Sequence, residues 1–227
     1  NSVWAHRLNR LYADASYMDQ FEKIVYNTFL SAMAFNGQGM FYCNHVNRTT
    51  PDQRSWAACP CCPGNVLSHY ARIPSYVYSI SDEGIYLNLF VDSKAHIPFG
   101  KGVSVTQQTE YPWEGKIAVE IDPNEEGTFG IFIRIPEWTE SHTIRINGKS
   151  VEAPIDRGYA LLERTWKSGD RIEIEFPMEA RRAYMPEPFS GYDGLVALRR
   201  GPLVYTFEGI DNFGTVCNLL LPVKAPL

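Results

Sequence analysis

The sequence predicts a mixed, mainly β fold, in which a short helical region is followed by antiparallel β-sandwich structure. Apolar residues recur at helical spacing over about residues 1–35 and again after residue 65. From about residue 83 onwards, short segments alternate apolar and polar residues, and Gly, Pro, Asn or Asp separates them at intervals of about ten residues. We therefore expect a helical domain over residues 1–82 and a β-sandwich region over residues 83–227, made of one or two sandwiches.

Two helices are predicted in the first 35 residues. Trp4, Leu8 and Leu11 are spaced by four and three residues, which predicts that they form the apolar face of the first helix. A second apolar stripe runs from Phe21 to Phe29, and Asp14 or Ser16 can cap the helix that carries it.

A short strand and a third helix follow. The aromatic segment "MFYCNHV", after the helix-breaking "NGQG", has high β propensity. The helical pattern resumes at Asn65, and Pro74 is expected to kink or divide that helix. The cysteines of "CPCCPGN" therefore lie just before a predicted helix start.

Composition excludes two classes of partner. The chain has 227 residues and a formal net charge of -5, without a basic run, so nucleic-acid binding is not expected. No apolar stretch approaches the roughly 18 residues of a membrane helix, so no membrane span is expected either.

The cysteine cluster is the most unusual feature of the chain. Cys59, Cys61 and Cys62 fall within four residues, and the total of five cysteines is odd. A disulfide framework is disfavoured, because adjacent cysteines are poor disulfide partners. A zinc site is one interpretation, with Cys43 and His45 as local candidates for further ligands. A nucleophilic thiolate near a helix N-terminus is a second, and buried inert cysteines are a third.

The same residues resemble a known family. "CPCCPGN" resembles the C-x-C-C-P-x-N signature of the β-L-arabinofuranosidase family, glycoside hydrolase family 127. Glu22 to Asn27 resemble its E-R-x-L-Y-N helix, and "MFYCNHV" resembles its F-Y-x-N strand. Several later segments resemble its β-domain sequence, so that the likeness covers nearly the whole chain: "IYLNLFVDSKA", "TEYPWEGKIAVEI", "FIRIPEWTESHTIRING" and "VALRRGPLVYTFEGID".

The resemblance implies a fold and a site. Residues 1–82 would be the terminal helices of an (α/α)₆ catalytic barrel, followed by jelly-roll-like β-sandwiches. A Zn²⁺ would be held by three cysteines and a glutamate, with Cys61 as nucleophile and ligand, Cys62 as a second ligand and Cys59 as a further candidate. Tyr42 would face the sugar. The remaining ligands and the general acid/base glutamate are expected upstream of Asn1, so the chain alone is expected to be inactive and to bind zinc weakly at most.

The function implied is that of a retaining glycoside hydrolase acting on β-L-arabinofuranosyl or similar linkages, with an oligosaccharide or glycan as substrate. One alternative is a non-catalytic β-sandwich module, glycan-binding or structural, in which the cysteine cluster holds a metal for stability. A redox-reactive thiol cluster is a third possibility. The exact sugar, the compartment and a homodimeric state are left open by the sequence.

Overall fold

The computed structural model describes residues 1–42, 53–55, 61–185, 194–216 and 218–227, with the backbone alone for 53–55. The chain forms two compact units. The first contains Asn1–Ile24 and Ser68–Met178, and the second contains Val25–Leu67 and Glu179–Leu227. The division into domains at residues 82 and 83 stays a prediction.

The helical elements come early in the chain. The α-helices within the described residues are α1 Ser2–Tyr12, α2 Ala15–Ile24 and α3 Cys61–Arg72. Helix α2 continues as a π-helical turn over Val25–Phe29 and a 3₁₀ turn over Leu30–Ala32. Further 3₁₀ turns cover Ile73–Tyr76 and Gly209–Asp211. No described helix combines the length and the apolar character needed to span a bilayer.

Strands dominate the rest of the chain, as predicted. They are β1 Gly39–Phe41, β2 Gln53–Ser55, β3 Tyr78–Ile80, β4 Gly84–Leu87, β5 Ser93–Ile97, β6 Val103–Thr109, β7 Lys116–Pro123, β8 Gly127–Arg134, β9 Thr143–Ile146, β10 Lys149–Ser150, β11 Ile155–Asp156, β12 Tyr159–Trp166, β13 Asp170–Glu175, β14 Ala180–Ala183, β15 Ala197–Arg200 and β16 Leu203–Tyr205. The mainly β fold class is confirmed.

The first unit contains two sheets. One has the strand order β10-β9-β13-β7-β6-β5 and is antiparallel throughout. The other has the order β11-β12-β8-β4-β3, and its β4–β8 pair is parallel, which departs from the antiparallel expectation. Gly84 makes this close pairing feasible, because a Cβ there would lie 1.9 Å from the carbonyl oxygen of Gly130.

The core of the first unit lies on alternating strand positions. Strand β7 buries Ile117, Val119 and Ile121, which matches the period of two along a half-buried strand. The two sheets touch at Gln107 of β6, whose Nε2 donates to Tyr78 Oη at 2.9 Å. Each aliphatic side chain buried in this way contributes about 1.5–3 kcal/mol.

The central strand β8 is buried on both faces. Its residues from Phe129 to Arg134 are all buried. Phe132 stacks on Tyr86 with ring centroids 4.2 Å apart, and belongs to a cluster with Ala15 of α2. One face of the five-stranded sheet therefore packs against the helices.

Helix α1 forms where predicted but buries a different face. Trp4 is 65% exposed and Leu11 is 70% exposed, whereas Ala5 and the polar His6 and Asn9 are buried. The apolar stripe that indicated the helix is therefore not the face that α1 buries within the described residues. Burial of a polar helix face is feasible when its polar groups form hydrogen bonds. The side-chain Nδ2 of Asn9 donates to Tyr159 Oη at 2.9 Å.

Helix α2 begins after an aspartate cap. Asp14 Oδ1 accepts hydrogen bonds from the amide of Ser16 at 2.9 Å and from its hydroxyl at 2.6 Å. Of the two predicted caps, Asp14 is the acceptor. Phe21 and Val25 of the predicted stripe are buried.

Helix α3 starts four residues earlier than predicted. It begins at Cys61 rather than Asn65, so the cysteine pair lies in its first turn and not before it. It ends at Arg72, and Pro74 lies in the 3₁₀ turn that follows, which agrees with a division of the helix at that proline.

The second unit contains two small sheets. Strand β1 pairs with β2, and β14, β15 and β16 form a three-stranded antiparallel sheet. Asn27 of the π-helical turn uses its side chain as a backbone substitute: its Nδ2 donates to the carbonyl of Pro202 at 2.9 Å, and its Oδ1 accepts from the amide of Val204 at 2.8 Å. The structure thus gives a residue of the E-R-x-L-Y-N-like segment a role in holding β16.

Candidate active site

Two thiols meet at the start of helix α3. Cys61 is exposed and Cys62 is half-buried, and neither forms a disulfide bond. Their Sγ atoms are 3.7 Å apart, far beyond the roughly 2.05 Å of a disulfide bond. The expected reduced state of this pair agrees with the geometry.

The local sequence explains why a helix can begin at these residues. Pro63 is the third residue of α3, where its missing N–H would have no intrahelical partner in any case. One turn later, Asn65 Nδ2 donates to the carbonyl of Cys61 at 2.8 Å. We refer to residues Cys61–Asn65 as the cysteine turn. Its thiols lie at the N-terminal end of the helix, where the positive end of the helix dipole favours a thiolate.

The spacing of the two sulfurs fits a metal site. Two thiolates at about 2.3 Å from a tetrahedral zinc lie about 3.8 Å apart, close to the 3.7 Å between Cys61 and Cys62. Two sulfur atoms in ordinary van der Waals contact are separated by a similar distance. The spacing is therefore required for a shared metal but does not by itself indicate one. Among the residues that the structure describes, no three His, Cys, Asp or Glu side chains converge on a common point.

The other predicted site residues are less informative. Tyr42 is exposed and lies one residue beyond the end of β1. Cys59, together with Cys43 and His45, lies outside the described residues.

The later part of α3 packs against the other helices. His69 Nε2 and Ser2 Oγ share a hydrogen bond of 3.1 Å. The His69 ring lies edge-on to Phe21, with centroids 5.9 Å apart, and near Tyr76 at 5.6 Å. Burial lowers the pKa of His69, and the positive charge of Arg72 lowers it further. A neutral imidazole therefore holds α3 against α1 and α2.

Comparison with known proteins identifies the fold around this turn. Residues 1–75 match the model of the GH127 β-L-arabinofuranosidase catalytic domain, and residues 84–178 match that of the GH127 middle domain. The chain belongs to the GH127 family. The family resemblance of the chain is thus confirmed, and the two matches together cover most of its length.

Relatives of this GH127 chain agree with that assignment. A non-reducing end β-L-arabinofuranosidase of Bifidobacterium longum subsp. longum is 29% identical over 97% of the chain. A solved GH127 β-L-arabinofuranosidase from Geobacillus stearothermophilus T6 superposes over 99% of the chain with a TM-score of 0.93 and 32% identity. A second solved GH127 β-arabinofuranosidase covers 90% of the chain with a TM-score of 0.83 and 30% identity.

The chain spans only part of these proteins. It covers 36% of the length of the Bifidobacterium relative, and 38% and 35% of the two solved chains. Its matched segments are a piece of the catalytic domain and the middle domain.

Sequence reasoning identified the cysteine turn but missed a buried polar cluster in the described part of the GH127 chain. That cluster surrounds Arg134, with Asp19 and Glu22 as its acidic partners. Glu22 was noticed only as part of a family-like segment. A buried arginine leaves no local signal in an alternating strand, since polar positions there ordinarily face solvent.

Proposed function

We propose that this GH127 chain supplies the cysteine nucleophile of a retaining glycoside hydrolase acting on β-L-arabinofuranosyl or similar linkages. The observation that carries the proposal is the exposed Cys61 thiol in the first turn of α3, 3.7 Å from the Cys62 sulfur, within a segment that matches a GH127 catalytic domain. The glycan substrate is inferred from the relatives, which are β-L-arabinofuranosidases.

The first chemical step is a substitution at the anomeric carbon. The Cys61 thiolate attacks that carbon, a C–S bond forms, and the glycosidic C–O bond breaks. The departing oxygen takes a proton from an acid that we expect outside this chain. Helix α3 assists by placing the positive end of its dipole beside the sulfur.

The second step releases the sugar. Water attacks the same carbon, and the electron pair of the C–S bond returns to Cys61. Two inversions at one carbon give net retention of configuration. The exposure of Cys61 suits this role, because both substrate and water must reach its sulfur.

The two described thiols also fit a zinc ion. Cys61 and Cys62 would hold it, with Cys59 as a third candidate, and the spacing of 3.7 Å between the described sulfurs is compatible with a shared tetrahedral metal. Such an ion keeps coordinated thiols deprotonated. Cys62 would then act as a ligand that is not consumed in the reaction.

The test is a substitution in the full-length protein. Cys61→Ala should abolish hydrolysis of an aryl β-L-arabinofuranoside, while Ser68→Ala, at an exposed position of the same helix, should retain wild-type activity. Mass spectrometry of the wild type quenched during turnover should find the pentosyl adduct on Cys61, and NMR should show the retained anomer as first product. Full activity in Cys61→Ala would exclude the proposed nucleophile.

A further inference from the structure

A buried cation with two carboxylates lies at the end of strand β8. The Arg134 side chain is 0% exposed. Its Nη1 donates to Asp19 Oδ1 at 2.6 Å, and its Nη2 donates to Glu22 Oε1 at 2.5 Å. Its Nε donates to the carbonyl of Asn88 at 2.6 Å. A buried charge is costly unless it is paired and hydrogen-bonded, and each of these three donors has a partner.

Neutral side chains complete the cluster. Tyr111 Oη donates to Glu22 Oε1 at 2.7 Å. Tyr159 Oη donates to Asn88 Oδ1 at 2.6 Å and accepts from Asn9 Nδ2 at 2.9 Å. We call the set Asn9, Asp19, Glu22, Asn88, Tyr111, Arg134 and Tyr159 the Arg134 network. It joins helices α1 and α2 to the five-stranded sheet.

The charges of the network explain why Arg134 donates the hydrogen bonds and the carboxylates accept them. Burial works to lower the pKa of Arg134, but the carboxylates of Glu22 and Asp19 outweigh it and hold the pKa above the ordinary value. The guanidinium is therefore a permanent donor. Its planar fork suits carboxylates on two successive turns of α2, since residues 19 and 22 are three apart and share a helix face.

A second set of contacts holds the connection between α1 and α2. The amide of Ala15 donates to the carbonyl of Arg157 at 2.8 Å, and Arg157 Nη1 donates to the carbonyl of Tyr12 at 2.7 Å. Gly158, with φ of +78°, lies so close that an added Cβ would be 2.7 Å from Ala15 Cβ. The helix pair is thus fitted to the β11–β12 turn as well as to Arg134.

Helix α2 transmits this fixed position to α3. Phe21 lies between Asp19 and Glu22 in sequence and is fully buried. Its ring contacts Tyr76, with centroids 4.9 Å apart, and His69 of α3. His69 lies about one turn after the end of the cysteine turn on the same continuous helix.

We propose that Arg134 is a positioning residue for the nucleophile: a middle-domain side chain that fixes α1 and α2, against which His69 holds the later part of helix α3. The assignment of Cys61 as the group being positioned rests on the proposed function. The two domains matched by the GH127 models would then act together, because Arg134 lies in the middle-domain match whereas its acidic partners lie in the catalytic-domain match.

The test variant must remove the bonds without leaving unpaired charges. Arg134→Met alone leaves two buried carboxylates without their cation, which could unfold the protein. An unfolded variant would not test positioning. The triple variant Asp19→Asn, Glu22→Gln, Arg134→Met removes the three charges together while keeping similar volumes. The matched control is Lys23→Met, which removes a more exposed ion pair to Glu137 from the same helix.

Hydrogen exchange of the full-length protein separates positioning from general stability. In the triple variant we expect the amides of α2 and α3 to exchange about 10-fold faster or more, while those of the six-stranded sheet keep their wild-type rates. Kinetics should show kcat reduced about 10-fold or more with KM changed less than about 2-fold, because a displaced nucleophile loses reactivity rather than substrate binding. Lys23→Met should match the wild type in both measurements.

Three results would overturn the positioning role. They are wild-type exchange in α2 and α3, equally faster exchange in the six-stranded sheet, and an unchanged kcat. Cys61→Ala tests the proposed function separately, because that variant leaves the Arg134 network intact. Inactive Cys61→Ala with a fully active triple variant would retain the nucleophile and reject the role of Arg134.

Discussion

The cysteine turn and the Arg134 network hold their polar groups in opposite ways. Cys61 is an exposed residue, and the Cys62 thiol lies 3.7 Å from its sulfur. The Arg134 guanidinium is fully buried and donates to two carboxylates and a carbonyl. A reactive group must keep room for an incoming atom, whereas a structural group gains stability only when its bonds are all made.

This difference separates two kinds of mutational sensitivity. Loss of an exposed thiol removes little buried contact, so the folded state hardly changes. Loss of one member of a buried charge network leaves the others unpaired, and the folded state bears that cost. Substitution of Arg134 should therefore cost mainly stability, whereas substitution of Cys61 should cost mainly activity.

The largest expected effect is that of Arg134→Met. It leaves Asp19 and Glu22 as unpaired buried carboxylates, which should lower the free energy of unfolding by about 3–5 kcal/mol. Urea titration followed by tryptophan fluorescence measures it. Lys23→Met breaks a more exposed pair and should cost less than about 1 kcal/mol. Equal losses of unfolding free energy in the two variants would show that the buried network contributes no more to stability than the more exposed pair.

The next effect depends on pH. Burial is the main cause that raises the pKa of Asp19, to about 6, with Glu22 also raising it and Arg134 opposing. Between pH 3.8 and about 6 the folded state therefore holds a proton that the unfolded state has lost. Stability from this group must fall as pH rises through that window.

Asp19→Asn isolates this contribution. The stability of the wild type minus that of the variant should fall by roughly 2 kcal/mol from pH 4 to pH 7, by the usual conversion of a pKa difference into free energy. Denaturant titrations at several pH values give the difference, in which the histidine contributions cancel. A difference that grows with pH would mean that Arg134 outweighs burial and lowers the pKa instead.

A smaller effect is expected in the second unit, where hydrogen bonds replace charges. Asn27→Ala removes the two bonds to the backbone of Pro202 and Val204, which should cost about 1–3 kcal/mol. Thr28→Ala, at the exposed neighbouring position, is the control. Proteolysis within β16 should become faster in Asn27→Ala alone. Identical behaviour of both variants would contradict a role of Asn27 in holding this strand.

The sequence was informative where structure depends on nearby residues. The helices at residues 2–12 and 15–24 follow from local spacing and from the Asp14 cap, and the strands follow from alternation. The start of α3 was misplaced because Cys61 to Gly64 form a first turn, whose amides have no intrahelical partner and whose residues show no period. The cysteine pair itself could be recognised, because its motif is contiguous.

Long-range partners explain what the sequence did not reveal. Asn9 is buried because Tyr159, 150 positions away, accepts its hydrogen bond, so the apolar Trp4 lies on the exposed side instead. The parallel β4–β8 pair uses the same alternation as an antiparallel one, and only the close approach of Gly84 to Gly130 distinguishes it. Arg134 meets its acids across more than 110 positions, which no local pattern encodes.

The smallest expected effect is that of Cys61→Ala on stability. Its thiol is exposed, so the free energy of unfolding should change by less than about 0.5 kcal/mol, although the same substitution should abolish activity. Cys62→Ala, at the half-buried neighbour, is the matched comparison, and both should be measured after chelation and again with zinc. A loss in Cys61→Ala well above 1 kcal/mol that requires zinc would mean that this thiol holds a metal for structural reasons. Such a loss together with retained hydrolysis would favour a metal-stabilised module over a nucleophile, because hydrolysis requires the sulfur of a nucleophile but does not require that of a purely structural ligand.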